Sequence, residues 1–215
     1  MNIVIWGPPN SGKGTLCAEL LQRTQGRFTC FAPGTLLRNS RYADIVAKGD
    51  LVDKEKILEI LKSFIDQNGN DNLIMDGFPR QVDQIQLMVE LDLKVDLIIN
   101  LDIPKKVLIE RMKGRLVHAN SGRTYHDVWK KPKNPGLDDV TGEKLTVRLD
   151  DQIKVLESRI DIFNRNKEPM MSSIFDKDEI YFKNFHSVPK IITFQGNVEL
   201  GQMVDKILSW IISYR

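Results

Sequence analysis

Short apolar runs alternate along this chain with longer segments in which polar and apolar positions are mixed. Short uninterrupted apolar runs are typical of parallel strands that are buried on both faces of a sheet. The mixed segments, notably residues 54–67 and 81–91, are long enough to be helices that cover it. We therefore predict an α/β fold, a doubly wound parallel sheet of five strands. The strands are expected at residues 2–6, 28–31, 73–75, 97–101 and 191–194, and further helices at residues 13–22 and 199–213.

Two segments depart from this alternation. Residues 33–63 are mostly helical and polar in pattern, whereas residues 116–147 read as short strands and turns. A stretch of about 30 residues without a helix inside a compact domain is usually a binding loop or a lid. Both segments are candidate mobile covers over a binding site.

The strongest chemical signal is the run GPPNSGKGT at residues 7–15, directly after the first predicted strand. A glycine-containing loop between a strand and a helix, with a lysine and a hydroxyl residue, is typical of nucleotide-phosphate binding. Its backbone N–H groups point inward, and the helix adds the positive end of its dipole. Lys13 supplies a charge that can reach the β- and γ-phosphates. The hydroxyl of Thr15 comes one position late, because Gly14 separates it from Lys13.

A second signal is the run LIMDGFPR at residues 73–80, which contains the third predicted strand. A carboxylate at the end of a buried strand beside a phosphate loop can bind Mg²⁺, usually through water, and Asp76 is in that position. Gly77 allows the backbone to approach a ligand closely, and Pro79 fixes the turn. Arg80 can form a bidentate contact with a phosphate.

The spacing of the arginines gives a third signal. Arg111 and Arg115 are four positions apart in a predicted helix, and Arg148 and Arg159 are eleven apart, which is three helical turns. Each pair is expected to share one face of a helix. With Arg38, these residues lie where the predicted core meets the two departing segments. Several guanidinium groups that converge on one cleft suit a reaction whose charge spreads over phosphate oxygens.

Composition and charge narrow the classes of protein to which the chain can belong. Lys and Arg total 31 against 29 Asp and Glu, so the chain has no net basic field, and nucleic acid is not expected as a partner. The two cysteines, Cys17 and Cys30, are not in a Cys-x-x-Cys arrangement, which argues against a disulfide framework or a cysteine zinc site. We interpret them as small buried hydrophobes in a reducing compartment. No cationic leader or long apolar segment is present, so a cytoplasmic protein without membrane contact is expected.

The chain resembles the adenylate kinases over essentially its whole length. Besides residues 7–15 and 73–80, with Gln84 just beyond, the resemblance rests on four runs. These are GRLVH at 114–118 leading into SGRTYH at 121–126, and DDVTG at 138–142 leading into RLDD at 148–151. The family implies a P-loop NTPase core with an inserted helical part that binds the nucleoside monophosphate (NMP) and a small β-rich lid. The implied boundaries are residues 1–31, 65–114 and 152–215 for the core, 32–64 for the NMP-binding part and 115–151 for the lid.

The resemblance also implies a reaction and its residues. The γ-phosphoryl group of MgATP would pass in line to AMP, giving two ADP, and the family expectation is a monomer. Gln84 would contact adenine, because its amide offers a donor and an acceptor together. ATP would be bound by Asn10, Ser11, Gly12, Lys13, Gly14, Thr15, Arg115, Thr124, Tyr125 and Asn197. AMP would be bound by Pro33, Arg38, Asp50, Leu51, Val52, Gly77, Phe78, Pro79, Arg80, Gln84, Arg148 and Arg159. The catalytic residues would be Lys13, Arg80, Arg115, Arg148 and Arg159.

The lid positions predict hydrogen bonds in place of a metal. Some family members hold the lid together with four zinc ligands, mainly cysteines. The matching positions here are His118, Ser121, Asp138 and Thr141, whose side chains can form a hydrogen-bonded network. No cysteine lies between residues 115 and 151, so zinc is not expected.

Three departures from the family pattern leave alternatives open. Asn10 replaces the usual glycine of the loop, and asparagine tolerates left-handed backbone better than most residues. Pro33 stands where the family has a hydroxyl residue, so one polar contact near the monophosphate base cannot form. The segment between Arg38 and Asp50 is shorter than in long bacterial members. The alternatives are a kinase of another nucleoside monophosphate and a non-catalytic regulatory protein that binds nucleotides.

Overall fold

The computed structural model describes residues 1–38, 40–48, 50–148 and 150–214. Leu149, within the run at 148–151, lies outside these residues. The strands are β1 (Ile3–Trp6), β2 (Thr29–Phe31), β3 (Leu73–Asp76), β4 (Leu97–Asp102), β5 (Arg115–Val117), β6 (Thr124–His126) and β7 (Lys190–Gln195). The main sheet is parallel and has the order β2-β3-β1-β4-β7, whereas β5 and β6 form a separate antiparallel pair. The predicted five-stranded parallel sheet is confirmed.

Helices connect and cover these strands. They are α1 (Lys13–Arg23), α2 (Pro33–Arg38), α3 (Ala43–Lys48), α4 (Lys54–Asn68), α5 (Val82–Glu90), α6 (Lys105–Lys113), α7 (Ile153–Phe175), α8 (Ile180–Phe185) and α9 (Leu200–Ser213). Helices α2, α3 and α4 follow one another between β2 and β3, and β5 and β6 lie between α6 and α7. We call residues 32–64 the helical excursion and residues 115–151 the β-rich excursion.

The core has two apolar layers, one on each face of the main sheet. In β1, Ile3 and Ile5 pack in the layer that contains α1, α6 and α9, while Val4 and Trp6 pack in the layer that contains α4, α5 and α8. All four side chains are almost fully buried. A strand that supplies apolar side chains to both layers needs an uninterrupted apolar sequence, which explains the pattern that predicted it.

Residues 170–186, for which the sequence suggests no function, are part of the second core layer. They form the end of α7 and all of α8, and Met170, Ile174 and Tyr181 are buried there. The hydroxyl oxygen of Tyr181 accepts a hydrogen bond from the backbone N–H of Val95 at 2.7 Å. Burial raises the pKa of Tyr181 to about 12. This segment therefore has a structural role, because its buried side chains complete the second core layer.

The predicted helical arginine pairs are wrong. Helix α6 ends at Lys113, so Arg115 begins β5 and does not share a helix with Arg111. Gly114 caps α6, and a Cβ at this position would clash with the side chains of His126 and Asp127, so the close approach of the β6 end needs a glycine here. Arg148 likewise precedes α7 and does not share a helix with Arg159.

The two excursions contact each other. Gly122 lies in the turn between β5 and β6 with φ 71°, in the left-handed region that favours glycine. A Cβ on Gly122 would lie 2.9 Å from Cγ2 of Thr35 in α2. The tip of the β-rich excursion therefore rests against the first helix of the helical excursion.

Candidate functional site

The phosphate loop connects β1 to α1, and left-handed backbone shapes it. Asn10 has φ 64°, and Gly12, the N-cap of α1, has φ 97°. Both residue types accept this region, glycine because it lacks a Cβ and asparagine because its short side chain can hydrogen-bond locally. The ammonium of Lys13 donates to the carbonyl oxygens of Gly7 and Pro8, each at 2.8 Å. The lysine therefore lies over the loop, at the carboxyl end of β1.

Asp76 ends β3 beside this loop. A Cβ placed on Gly14 would lie 3.3 Å from Oδ2 of Asp76, so the glycine that separates Lys13 from Thr15 leaves room for the carboxylate. Burial raises the pKa of Asp76, and Lys13 opposes that shift. Burial lowers the pKa of Lys13 to about 7, which Asp76 opposes in turn. The two groups form a half-buried pair in which each charge stabilises the other.

Two arginines bind the loop from its other side. Arg111 on α6 donates from Nη1 to the carbonyl oxygen of Ser11 at 2.7 Å and from Nη2 to the side-chain oxygen of Asn197 at 2.6 Å. Arg115 donates to the side-chain oxygen of Asn10. The sequence predicted ATP contacts for Arg115, Asn10 and Asn197. It placed Arg111 among the arginines expected to converge on the cleft but gave it no contact of its own.

Two adjacent carboxylates that sequence reasoning missed pair with arginines of the cleft. Asp151 accepts hydrogen bonds from both Nε and Nη2 of Arg115. Oδ2 of Asp150 accepts from Arg38 at 3.0 Å and from Arg159 at 2.5 Å. Burial opposes the ionisation of Asp150, but these two arginines hold its pKa at about 2. Asp150 therefore joins the helical excursion to α7. The available signal in the sequence was a pair of adjacent aspartates two positions after Arg148.

The cleft contains two adjoining cavities. The first, of about 470 Å³, is lined by Pro33, Gly34, Leu37, Arg38, Val46, Asp50, Leu51, Val52, Ile57, Gly77, Phe78, Arg80, Gln84 and Arg159. It brings together the residues that were predicted to bind AMP, except Pro79 and Arg148. Pro79 lines the second cavity, of about 550 Å³, together with Trp6, Gly7, Pro9, Lys13, Leu51, Gly77, Arg80, Arg159, Ile162 and Phe163. Arg80 and Arg159 line both.

Arg80 is fixed at the junction of the two cavities. Its Nε donates to the carbonyl oxygen of Gly77 at 2.6 Å, and its own carbonyl oxygen accepts from Asn166 at 3.0 Å. A Cβ on Gly34 would lie 3.3 Å from Nη2 of Arg80. The backbone N–H of Arg80 also donates to Oε1 of Gln84 at 2.7 Å. One lone pair of Oε1 of Gln84 is therefore used within the fold, and the contact of this amide with a base stays a prediction.

Of the charged side chains described so far in the cleft, more are cationic than anionic. Burial, together with repulsion from neighbouring arginines, lowers the pKa of Arg80 to about 10 and that of Arg148 to about 9. Burial also lowers the pKa of Arg159. Each of these guanidinium groups is held in a place where its charge is disfavoured by burial and by repulsion. Such a cleft is ready to receive an anion with several negative oxygens.

The predicted side-chain network of the β-rich excursion is present, with Asp138 at its centre. Asp138 accepts from Nε and Nη2 of Arg123 at 2.8 and 2.7 Å, from the hydroxyl of Tyr125 at 2.9 Å and from that of Thr141 at 3.0 Å. The Arg123 guanidinium, with these further donors, holds the pKa of Asp138 well below its usual range. The hydroxyl of Tyr125 on β6 therefore points into the excursion. Thr124 lies beside it in the β5–β6 pair.

The histidine of this network lies at its edge. His118 contacts the hydroxyl of Ser121 at 2.7 Å through Nδ1 and the carboxylate of Glu143 at 2.5 Å through Nε2. Arg123 and Glu143 were not predicted members of the network. Across the described ranges, the structure contains no group of three or more His, Cys, Asp and Glu side chains arranged to hold a metal ion.

Comparison with known proteins adds two findings. The sequence model of the family described as "Adenylate kinase" matches residues 5–179. An adenylate kinase from Blochmanniella pennsylvanica (strain BPEN) is 32% identical over 224 residues, an alignment that covers 99% of this chain and 100% of the relative. Separately, none of the helices in the described residues is long and apolar enough to span a membrane.

Proposed function

Because this chain belongs to the adenylate kinase family, we propose that the cleft between the phosphate loop and the two excursions is its active site. The enzyme transfers the γ-phosphoryl group of ATP to AMP, giving two ADP. One observation carries the assignment of the site. The cavity that contains Lys13 adjoins the cavity lined by the predicted AMP residues, and Arg80 and Arg159 line both. Two phosphate-bearing molecules can therefore meet at these arginines.

The phosphates of ATP are proposed to bind the loop at residues 10–15. Phosphate oxygens would replace the carbonyl oxygens of Gly7 and Pro8 as the partners of the Lys13 ammonium. Arg115, already in contact with Asn10, lies beside the same loop. We add Arg111 to this half of the site, because it joins the loop to Asn197, the predicted contact for the ATP base. Thr124 and Tyr125 remain the proposed contacts from β6, Tyr125 through its ring or backbone, because its hydroxyl is bonded to Asp138.

AMP is proposed to occupy the first cavity. Arg38, Arg80 and Arg159 line it and would hold the phosphate, with the backbone at residues 50–52 along the ribose and base. Gln84 would donate to the base from its amide nitrogen, since its oxygen is bonded to the backbone of Arg80. Pro33 contributes an apolar wall without an N–H donor.

The proposed chemistry needs no general base. The acceptor oxygen of a phosphate monoester is already ionised near pH 7, so catalysis consists of positioning and electrostatic stabilisation. Lys13, Arg115, Arg148 and Arg159 would stabilise the charge on the group in transfer. Burial and mutual repulsion in the free cleft lower the pKa of Lys13 and Arg148, and the repulsion is relieved when phosphate oxygens lie between them. The cationic cluster is therefore more stable with phosphates bound than in the free protein.

Mg²⁺ fits the proposed site through Asp76. Members of this family generally depend on Mg²⁺, and the ion prefers one or two carboxylates together with water and substrate phosphates. Asp76 supplies one carboxylate beside the loop, next to Gly14. When bound, Mg²⁺ neutralises charge on the β- and γ-phosphate oxygens.

The excursions are proposed to be mobile parts of the site. Residues 32–64 would be the NMP-binding part, residues 115–151 the lid, and the remaining described residues the core. Their contact at Gly122 and Thr35 supports a closed arrangement that keeps water from the transferred group. We propose a monomer as the active form, the state expected from the family resemblance, and we place the enzyme in the cytoplasm, where adenylate kinases typically act.

Nucleotide turnover followed by chromatography tests this proposal. The protein is mixed with MgATP and, in parallel reactions, with AMP, CMP, UMP, GMP and their deoxy forms, and ATP alone is the control for hydrolysis. We expect rapid formation of ADP with AMP and little reaction with ATP alone. Faster turnover with another monophosphate would overturn the assignment of AMP. Nucleotide binding without turnover of any acceptor would overturn the proposed active site.

A further inference from the structure

The two cysteines of the chain are in direct contact. Cys17 lies in the second turn of α1 and Cys30 in the middle of β2, thirteen positions apart. Both are free thiols, and their Sγ atoms are 2.8 Å apart. The sulfur atoms of a disulfide are about 2.05 Å apart. Only a short further approach separates this pair from a covalent bond.

The surroundings of the two thiols differ. Cys17 is 2% exposed, within the apolar layer that contains α1, whereas Cys30 is partly exposed at the edge strand of the sheet. The hydrogen bond to Cys30, together with burial, raises the pKa of Cys17. A reagent in solution therefore reaches Cys30 first, and Cys17 lies behind it as the only partner within contact in the described residues.

We propose that Cys17 and Cys30 form a reversible intramolecular disulfide when the protein meets a disulfide oxidant such as glutathione disulfide. The Cys30 thiolate attacks one sulfur of glutathione disulfide and releases one glutathione, which leaves a mixed disulfide on Cys30. Cys17 then loses its proton to solvent and attacks Sγ of Cys30, releasing the second glutathione. In total, two protein thiols are oxidised to one disulfide, and one glutathione disulfide is reduced to two thiols.

The bond would link two elements of the active-site framework. Helix α1 begins at Lys13 in the phosphate loop, and β2 ends at Phe31, just before α2 begins at Pro33. Because the sulfur atoms are 2.8 Å apart and need only approach to about 2.05 Å, we expect the bond to form with little displacement of either element. It also closes a loop in the unfolded chain, which lowers the entropy of unfolding. We therefore expect a more heat-resistant protein with unchanged turnover.

The test is mass spectrometry of the intact protein. Reduced protein is incubated in buffers of increasing glutathione disulfide to glutathione ratio, quenched with acid, denatured and labelled with N-ethylmaleimide. We expect wild-type protein to lose two hydrogen atoms and to take up no label, as a monomer. Retention of two labels at every ratio, a stable glutathione adduct or a disulfide-linked dimer would each overturn the proposal.

Single-cysteine variants define the order of the steps. Cys17→Ala should accumulate one glutathione on Cys30, and Cys30→Ala should stay reduced under the same conditions. If Cys17→Ala remains unmodified, Cys30 is not the entry point and the proposal fails. Oxidised wild-type protein should melt roughly 5–10 °C above its reduced form, with turnover within twofold. Neither variant should show an oxidant-dependent rise, and Cys17→Ser replaces Cys17→Ala if the latter does not fold.

Discussion

The charged groups of the cleft and those of the β-rich excursion differ in how their charges are balanced. In the excursion, Asp138 stabilises Arg123, whose pKa is raised by the hydrogen bond between them. In the cleft, burial and repulsion from neighbouring arginines lower the pKa of Arg80 and Arg148. In the excursion the charged donors and acceptors pair with one another. In the cleft the positive charge exceeds what the neighbouring carboxylates balance.

This difference separates structural polar groups from functional ones. A network whose donors and acceptors satisfy each other stabilises a fold and has little to offer a ligand. A buried cationic cluster raises the energy of the free protein, and a phosphate that enters it recovers that energy as binding.

The largest expected effect is loss of catalysis from the cleft. Arg80→Ala removes a guanidinium that lines both cavities and should lower turnover with ATP and AMP by roughly 10²- to 10³-fold. Arg165→Ala, an exposed arginine on α7, is the matched control and should leave turnover unchanged. The measurement is the steady-state rate of ADP formation. Near-wild-type activity of Arg80→Ala would contradict the role given to this residue.

The next largest expected effect distinguishes two buried carboxylates, Asp150 in the cleft and Asp138 in the β-rich excursion. Asp150→Asn removes the charge that Arg38 and Arg159 share and should lower the melting temperature by about 5 °C. Inorganic phosphate should narrow this gap to wild type, because it can lie between the same arginines. Asp138→Asn should also lower the melting temperature, but phosphate should not restore it. Scanning calorimetry at matched ionic strength distinguishes the two, and equal rescue of both variants would remove the contrast.

Sequence reasoning located the elements and the loop but not the balance of charge. The apolar run of β1 and the motif at residues 7–15 are local, so each could be recognised without the rest of the chain. The partners of Asp150 depend on tertiary structure, since Arg38 lies 112 positions away in the chain. The helical pairing of Arg111 with Arg115 was wrong because Gly114 ends α6. The site residues were identifiable by type, whereas their hydrogen bonds to each other were not.

The smallest expected effect concerns the proton on Lys13. Its pKa is about 7 in the fold and 10.5 in an exposed lysine, so the charged form is disfavoured in the free protein. The unfolded chain holds more protons between these two values, so this group makes the free protein more stable as pH rises from 7 towards 10.5. Phosphate oxygens around Nζ favour the ammonium and should restore its proton.

Nucleotide binding should therefore take up about half a proton at pH 7 and a larger fraction at pH 8, where more of the free lysine is neutral. Titration calorimetry with ATP in buffers of different ionisation enthalpy measures this uptake. Lys13→Met should remove it, while Lys183→Met, at an exposed position on α8, should not. Uptake that is identical in wild type and Lys13→Met would mean that Lys13 is already charged in the free cleft. The lysine would then be balanced by Asp76 and the loop carbonyls, and it would resemble the arginine of the β-rich excursion more than its neighbours in the cleft.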